Sequence, residues 1–249
     1  AKTPPIKRTF YVAAEKLCRP ATQLLLVMNE EDYRLAQRYN LSAGTIALIP
    51  GMGLPEQAKP AASAQTIREK FHFQENDVVA VYGAEFSKRK NQQFLINALP
   101  AVIQKYPQFK LILAGTGEEW EHCRRLIVQK QLTQNILLPG HVDDMISLFG
   151  MAQLAISSSK SEGLPFNIME ALQAGLPVLA SRVKGHVDLI EEGKNGYLFD
   201  LDNETEFCAK VSLFLQKKTF LQLSPRLPEK YWLEHALPFI TQIHQELLM

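Results

Sequence analysis

The sequence is poor in features that mark several common classes of protein. Its three cysteines, Cys18, Cys123 and Cys208, are far apart and form no C-x-x-C pair. Neither a disulfide framework nor a zinc site is therefore indicated, and a reducing compartment fits best. The apolar run Leu24 to Met28 is much shorter than the ~20 residues of a membrane-spanning helix, and no signal peptide precedes it. We therefore expect a soluble, cytoplasmic chain.

The chain also lacks a marked excess of positive or negative charge. Lysine and arginine number 27 against 26 aspartates and glutamates, which leaves a formal net charge of +1. No bulk field would recruit nucleic acid or anionic lipid, so any anion site must be local. The sequence contains no Walker motif, no G-x-S-x-G motif and no Cys/His pair at nucleophile spacing. Its 249 residues, 46% of them hydrophobic, suffice for one globular domain and an additional piece.

From residue 78 onward, short and continuously apolar runs alternate with amphipathic patterns. Such runs are typical of strands in a parallel sheet that helices cover on both faces. Strands are predicted at 78–83, 110–115, 135–140, 154–159, 177–181 and 196–199. Helices are predicted at 91–105, 118–131, 143–150, 166–174, 186–192 and 203–217. The pattern predicts a doubly wound α/β domain with a parallel six-stranded, Rossmann-like sheet, whose ligand site lies at the carboxyl ends of the strands.

The two ends of the chain follow different patterns. Residues 1–54 predict a small α/β piece of two strands and a helix, which cannot form a stable domain alone. Residues 55–77 are predicted to be a linker and entry into the main domain at 78–225. Residues 226–249 predict an amphipathic helix with a kink at Pro238. Its apolar face would lie on the N-terminal piece or remain exposed.

The stretch "SEGLPFNIMEALQAGLPVLAS" contains two carboxylates in apolar surroundings. Glu162 falls in a loop before a helix that begins with "PF", and Glu170 falls near the start of that helix. Amides at a helix start can bind a phosphate or a sugar hydroxyl, and carboxylates accept hydrogen bonds from hydroxyls. The arrangement suits a ligand with both phosphate and polyol. The alternative is a capping box formed by Asn167 and Glu170, with Glu162 merely solvated.

A second candidate anion site is "SKRKN", residues 87–91, which follows a predicted strand. Its alternative is a solvated basic turn. A diphosphate between Arg89 or Lys90 and the helix start would use both features.

Three further features of the sequence are less specific. The glycine turn "AGTGEE" alone is weak support for a phosphate-binding loop. His141 either contacts a base or simply ends a strand. The acids at 200–202 are interpreted as N-capping residues, so no metal is expected.

In this order, "AEFSKRKNQQFLINAL", "LILAGTGEEW", "ILLPGHVDD" and the E-x7-E stretch resemble the donor half of retaining glycosyltransferases of family four, which have the GT-B fold. The resemblance implies a nucleotide diphosphate sugar, such as a UDP- or GDP-sugar, as the donor, with no cofactor and no required metal. Glu162 would bind hydroxyls of the donor sugar, Glu170 the ribose, and Lys90 with Arg89 the diphosphate. Glu162 and Lys90 are the catalytic candidates. The other donor-binding positions that the resemblance implies are Gly115, Gly117, His141, Gly163, Leu164, Pro165 and Phe166.

The resemblance also carries one departure and one implication for the whole protein. Glu85 stands where many members have a basic residue, so Arg89 or Lys88 would have to substitute. Residues 1–54 resemble the end of the acceptor-binding N-terminal domain of polysaccharide-assembling members. The expected partners are a nucleotide-sugar donor, a glycan or lipid-linked acceptor, and the missing N-terminal domain or a partner chain. A lipid-linked acceptor would bring the protein to the inner face of the membrane.

Three hypotheses follow from these observations. The first is a retaining glycosyltransferase that acts on a polysaccharide or glycolipid acceptor. The second is a nucleotide-sugar-binding module or truncated, inactive fragment. The third, a purely structural α/β domain, leaves the basic turn and the two acids unexplained.

Overall fold

The computed structural model describes residues 5–56, 60–216 and 223–248. Outside these ranges lie residues 1–4, 57–59, 217–222 and 249. They include the start of the predicted N-terminal piece, part of the predicted linker, the end of the helix predicted at 203–217 with the segment that follows it, and the last residue of the predicted C-terminal helix. The strands are Leu24–Val27 (β1), Thr45–Leu48 (β2), Val78–Gly83 (β3), Phe109–Ala114 (β4), Ile136–Gly140 (β5), Leu154–Ser157 (β6), Val178–Ser181 (β7) and Gly196–Phe199 (β8). The α-helices are Pro5–Cys18 (α1), Glu30–Tyr39 (α2), Ala64–Lys70 (α3), Gln92–Lys105 (α4), Trp120–Gln129 (α5), Met145–Met151 (α6), Phe166–Gln173 (α7), His186–Leu189 (α8), Glu204–Leu215 (α9) and Leu233–Leu248 (α10).

Strands β3 to β8 form one parallel sheet with the order β5-β4-β3-β6-β7-β8. β3 pairs with β4 on one side and with β6 on the other, with Ala80 opposite Leu154. The strand order reverses direction between β3 and β6. Ligands of open α/β sheets bind at the carboxyl ends of the strands beside such a reversal. The prediction of a doubly wound, six-stranded α/β fold is confirmed.

Both faces of this sheet are covered by helices. Val79 and Val81 belong to the buried cluster that contains residues of α6 and α7. Ala80 and Tyr82 belong to the opposite cluster with residues of α4, α5 and α9. Because alternate side chains of one strand enter two cores, the strand has no polar face. This is the physical reason that the strands are continuously apolar in sequence.

The helix predicted at 226–249 begins only at Leu233, because Trp232 is extended between it and a short 3-10 turn at Glu229–Tyr231. Helix α1 was not predicted.

For the elements predicted between residues 78 and 217, the ends agree with the structure to within two residues, with one clear exception. The helix predicted at 186–192 ends at Leu189. Asn195 donates from Nδ2 to the carbonyl of Leu189 and accepts from the N–H of Glu191 through Oδ1, both at 2.9 Å. These side-chain bonds take over backbone groups that a longer helix would use. Helix α3 lies inside the predicted linker, where the N–H of Ala62 donates to Ser147 Oγ of α6 at 3.0 Å.

The two ends of the chain contact each other. β1 and β2 form a separate two-stranded parallel sheet. The segment after β2 meets the start of α10, where Leu54 donates to the carbonyl of Tyr231 and accepts from the N–H of Leu233, both at 2.8 Å. Farther along α10, Leu237 and Phe239 remain 44% and 45% exposed. The helix therefore contacts the N-terminal piece and still presents apolar surface. Among the described residues, no helix has the length and apolar character needed to cross a membrane.

Candidate functional site

The turn after β3 and the loop after β6 meet through a buried carboxylate. Glu162, 7% exposed, has Oε1 at 2.7 Å from Lys90 Nζ and Oε2 at 2.8 Å from Arg89 Nη1. The Lys90 side chain is 13% exposed and that of Arg89 is 50% exposed. Three of the predicted site residues are thus in direct contact at the reversal of strand order. The solvated-turn alternative expected all three cations to be exposed, which holds for Lys88 and Arg89 but not for Lys90.

The charge of Glu162 is maintained by its partners. Burial alone would raise the pKa of this carboxyl, but hydrogen bonds from Lys90 and Ser159 and the charges of Lys90 and Arg89 outweigh that effect. The pKa of Glu162 therefore lies below its ordinary value. Two cations against one anion leave a net charge of +1 in this cluster at neutral pH. The cluster can still attract an anion.

Hydrogen bonds to consecutive carbonyls hold the basic turn in place. The N–H of Lys160 donates to the carbonyl of Arg89 at 2.8 Å. Tyr82 donates through its hydroxyl to the carbonyl of Lys90 at 3.0 Å, and Ser158 Oγ donates to that of Asn91 at 2.9 Å. Tyr82 and Ser158 are buried, so these bonds are shielded from competing water. The backbone that presents Lys90 is therefore positioned by β3 and by the loop after β6.

A buried histidine connects a third loop to this assembly. His186 Nδ1 donates to the carbonyl of Ser181 at 2.7 Å, and Nε2 lies 3.2 Å from the hydroxyl of Ser157. Burial lowers the pKa of His186 to about 4, so the ring is neutral at pH 7 and Nε2 accepts from Ser157. Ser181 Oγ in turn donates to the carbonyl of Ser159. This network was not predicted, and its signal in the sequence is the serine run at 157–159, which begins with the last residue of β6.

Helix α7 places the remaining part of the E-x7-E stretch. Its N-cap is Pro165, which makes no side-chain cap, and Asn167 is already inside the helix. The capping-box alternative is therefore wrong, and Asn167 Oδ1 is buried without a hydrogen-bond partner among the described residues. Pro165 lacks an N–H, so it can contribute only its carbonyl or ring to a ligand. The N–H groups of Phe166 and Asn167 have no acceptor within the helix because they are in its first turn.

Glu170 and Phe166 lie on the same helix in different environments. Glu170 is partly buried, and burial raises the pKa of its carboxyl. Phe166, the first residue of α7, is 45% exposed. Gly163 and Leu164 complete the loop between Glu162 and the helix, and Leu164 is buried. This part of the predicted site is continuous along the chain.

The glycines after β4 pack against the turn after β3. Gly115 and Gly117 have φ of +136° and +149°. A Cβ atom would lie 2.1 Å from the carbonyl oxygen of Ala84 at Gly115 and 2.4 Å from that of Phe86 at Gly117. Only glycine permits this approach, so both residues help to position the segment that leads to Lys90.

His141 and Glu85 are both exposed. His141 follows the end of β5, and its Nε2 lies 3.1 Å from Asp143 Oδ1. The carbonyl of Glu85 accepts a hydrogen bond from Gln92 Nε2 at 2.8 Å. Both residues lie at the same edge of the sheet as the cluster, because they follow the carboxyl ends of parallel strands.

The N-terminal segment contacts the same loops. Asn29 Nδ2 donates to the carbonyl of Gly163 at 3.2 Å, and Lys184 Nζ lies 2.8 Å from Asp32 Oδ1. A cleft of about 720 Å³ lies between this segment, α8 and the start of α10. Its walls include Met28, Asn29, Ile49, Asp188, Tyr231 and Phe239. The contacts of Asn29 with Gly163 and of Lys184 with Asp32 were not predicted.

The acids at 200–202 have other roles than the predicted capping. Asp200 accepts from Arg182 Nε at 3.0 Å. The N-cap of α9 is Asn203, whose Oδ1 accepts from the N–H of Glu206 at 3.0 Å. The capping prediction is therefore wrong for these acids. In the part of the chain that the structure describes, no group of three or more His, Cys, Asp or Glu side chains could hold a metal ion.

The sequence from residue 63 to residue 229 matches the family of glycosyl transferases group 1. The match covers more than half of the chain, so the protein belongs to this family. The prediction of a family-four type of glycosyltransferase with the GT-B fold is confirmed.

Relatives and solved structures agree with this assignment. The putative glycosyltransferase EpsD of Bacillus subtilis (strain 168) is 31% identical over 211 residues, which are 83% of this chain and 55% of EpsD. The crystal structure of Anabaena Alr3699/HepE in complex with UDP and glucose has a TM-score of 0.81 at 19% identity and covers 94% of this chain and 66% of that one. The crystal structure of the pneumococcal O-GlcNAc transferase GtfA in complex with UDP and GlcNAc has a TM-score of 0.79 at 19% identity. It covers 96% of this chain and 48% of that one. The chain spans about half the length of EpsD.

Substitution of Gly185 should disturb the cluster through Glu162. A Cβ atom at Gly185 would lie 2.9 Å from the carbonyl oxygen of Gly163 and 3.0 Å from Glu162 Cβ. Gly193 has φ of +77°, close to the +79° of Gly185, but a Cβ there meets no atom of the described residues within 4 Å. We expect Gly185→Ala to lower the free energy of unfolding by about 2 kcal/mol more than Gly193→Ala, because only the first adds overpacking to backbone strain. Chemical denaturation measures both, and equal losses would contradict the contact.

His186 should make stability depend on pH. Its pKa of about 4 in the folded chain lies below the ordinary value of 6.5, so the unfolded chain binds the proton more readily. The contribution of neutral His186 to the free energy of unfolding is complete above about pH 6.5. It is lost as the pH falls to about 4, and the total loss is roughly 3 kcal/mol. Chemical denaturation at several pH values should show that the free energy of unfolding falls with pH in the native chain. The same fall is expected in the control His122→Gln, which changes an exposed histidine. An unchanged slope in His186→Gln would contradict the assignment.

Proposed function

We propose that the protein is a retaining glycosyltransferase whose six-stranded sheet binds a nucleotide diphosphate sugar, a UDP- or GDP-sugar, at the reversal of strand order. The acceptor would be a polysaccharide or a glycolipid. The observation that carries the proposal is the net positive cluster of Lys90, Arg89 and Glu162 beside the start of α7. It combines cations for a diphosphate with a carboxylate and helix amides for hydroxyls.

Each predicted residue has a role in this proposal. Lys90 would bind the diphosphate and offset the charge that develops as the nucleoside diphosphate departs. Arg89 would share the phosphate charge. Glu162 would contact sugar hydroxyls and Glu170 the ribose. The backbone of Gly163 to Phe166 would border the sugar and the diphosphate, while the loops of Gly115, Gly117 and His141 would border the base and the diphosphate.

Retention of configuration requires no protein nucleophile in this proposal. A phosphate oxygen of the donor would accept the proton of the attacking acceptor hydroxyl on the same face that the leaving group departs from. The protein would supply orientation and charge.

We further propose that residues 1–54 end an acceptor-binding domain and that 78–225 form the donor-binding domain. The contacts of Asn29 and Asp32 with the loops of the larger sheet support this arrangement. The protein would work in the cytoplasm, at the inner face of the membrane where its acceptor is lipid-linked. The rest of the acceptor site would come from further N-terminal residues or from a partner chain.

Removal of the Lys90 ammonium should weaken nucleotide binding. We expect Lys90→Ala to raise the Kd for UDP or GDP by roughly tenfold or more, because a charge-assisted contact to phosphate is lost. Lys88→Ala removes an equal charge from the same turn but leaves the cluster intact, and its effect should be much smaller. Isothermal titration calorimetry with UDP, GDP and their sugars measures these constants. No binding of any of them at millimolar concentration would overturn the donor assignment.

Turnover distinguishes the transferase from the alternative of a nucleotide-sugar-binding module. The chain is incubated with UDP- and GDP-sugars, with and without candidate acceptors, and release of the nucleoside diphosphate is followed. Release that exceeds spontaneous hydrolysis and disappears in Lys90→Ala supports the transferase. Binding without release supports the binding module.

A further inference from the structure

Glu162 competes with any anion for the two cations of the cluster. Each of its oxygens already has a cationic partner, Lys90 Nζ on Oε1 at 2.7 Å and Arg89 Nη1 on Oε2 at 2.8 Å. Arg89 Nη1 also lies 3.3 Å from the carbonyl oxygen of Ser161. A diphosphate at this site must therefore share Lys90 and Arg89 with a buried carboxylate of the same sign as itself.

The carboxylate is not able to move out of the way easily. Gly185 packs against the base of the Glu162 side chain, where an added Cβ would lie 3.0 Å from Glu162 Cβ. Ser159 bonds the carboxylate, and the carbonyl of Lys90 is held by the hydroxyl of Tyr82 at 3.0 Å. An ammonium has three N–H donors, so Lys90 can bind Glu162 and a phosphate oxygen at the same time. The geometry favours sharing of Lys90 rather than exchange of its partner.

The repulsion differs between the donor and the product of the proposed reaction. A sugar nucleotide carries about two negative charges on its diphosphate, and the nucleoside diphosphate carries up to about one more at pH 7 because its terminal phosphate has a second pKa near 6. A fixed negative charge beside the site therefore opposes binding of the product more than binding of the donor.

We propose that Glu162 limits the affinity of the site for the nucleoside diphosphate and so promotes its release after sugar transfer. The inference rests on the proposed function, since it needs a diphosphate at Lys90 and Arg89. It adds a role that hydroxyl binding does not require. A residue that only binds sugar hydroxyls has no effect on the affinity for UDP or GDP.

The test measures binding of UDP, GDP and the corresponding sugar nucleotides by calorimetry with the native chain and with Glu162→Gln. The glutamine keeps the shape and removes the charge. We expect Glu162→Gln to bind the nucleoside diphosphate about tenfold more tightly, with a smaller change for the sugar nucleotide. Glu162→Asp keeps the charge and should show no such gain. Glu118→Gln removes an exposed acid from the turn after β4 and should leave every Kd within about twofold.

The outcomes separate the inference from the proposed function. An unchanged or weaker affinity of Glu162→Gln for UDP and GDP, together with weaker binding of the sugar nucleotide, would overturn the inference and leave Glu162 as a hydroxyl contact. No nucleotide binding by the native chain or by any variant would overturn both the proposed function and the inference. Denaturation of each variant under the same conditions shows whether it is folded, and Glu162→Asp provides the comparison if Glu162→Gln is destabilised.

Discussion

The buried carboxylate of Glu162 is stable as an ion because Lys90 and Arg89 lie within 2.8 Å of it and Ser159 bonds it. Removal of an ion from water costs several kcal/mol, which attraction between opposite charges and additional hydrogen bonds must offset. The partners belong to the loops that follow β3 and β6, the two strands on either side of the reversal in strand order. The same contact therefore joins the two loops at this edge of the sheet and sets the net charge of the candidate site.

A layer of buried polar groups below the cluster restricts the positions of the loops that carry it. Tyr82, the serines at 157–159, Ser181 and His186 are all buried, and their hydrogen bonds connect the loops after β3, β6 and β7. Unsatisfied groups at this depth would each cost about 1 to 3 kcal/mol, so the network favours one arrangement of the three loops. A site with fixed loops loses less entropy when it binds a ligand. The neutral ring of His186 adds no charge that would change the balance between Glu162 and the cations.

The sequence predicted the sheet because every central strand is buried on both faces, and a continuous run such as "VVAVYG" has few other interpretations. It predicted α8 too long because the side chain of Asn195, several residues away, decides where that helix ends. It named Lys90 and Glu162 but not their pairing, since 72 residues separate them and only the order of strands brings them together. The serine network was unpredicted for the same reason. A serine after a strand is ordinarily solvated, and its burial depends on loops from two neighbouring strands.

The N-terminal segment extends this dependence beyond the six-stranded sheet. Asn29 bonds the carbonyl of Gly163, the residue directly after Glu162, and Asp32 pairs with Lys184, the residue directly before Gly185. Gly185 in turn packs on Glu162. A change in the position of α2 relative to the larger sheet would therefore act on the loop of Glu162 from both of these contacts. Because Glu162 pairs with Lys90 and Arg89, such a movement would also act on the cation cluster.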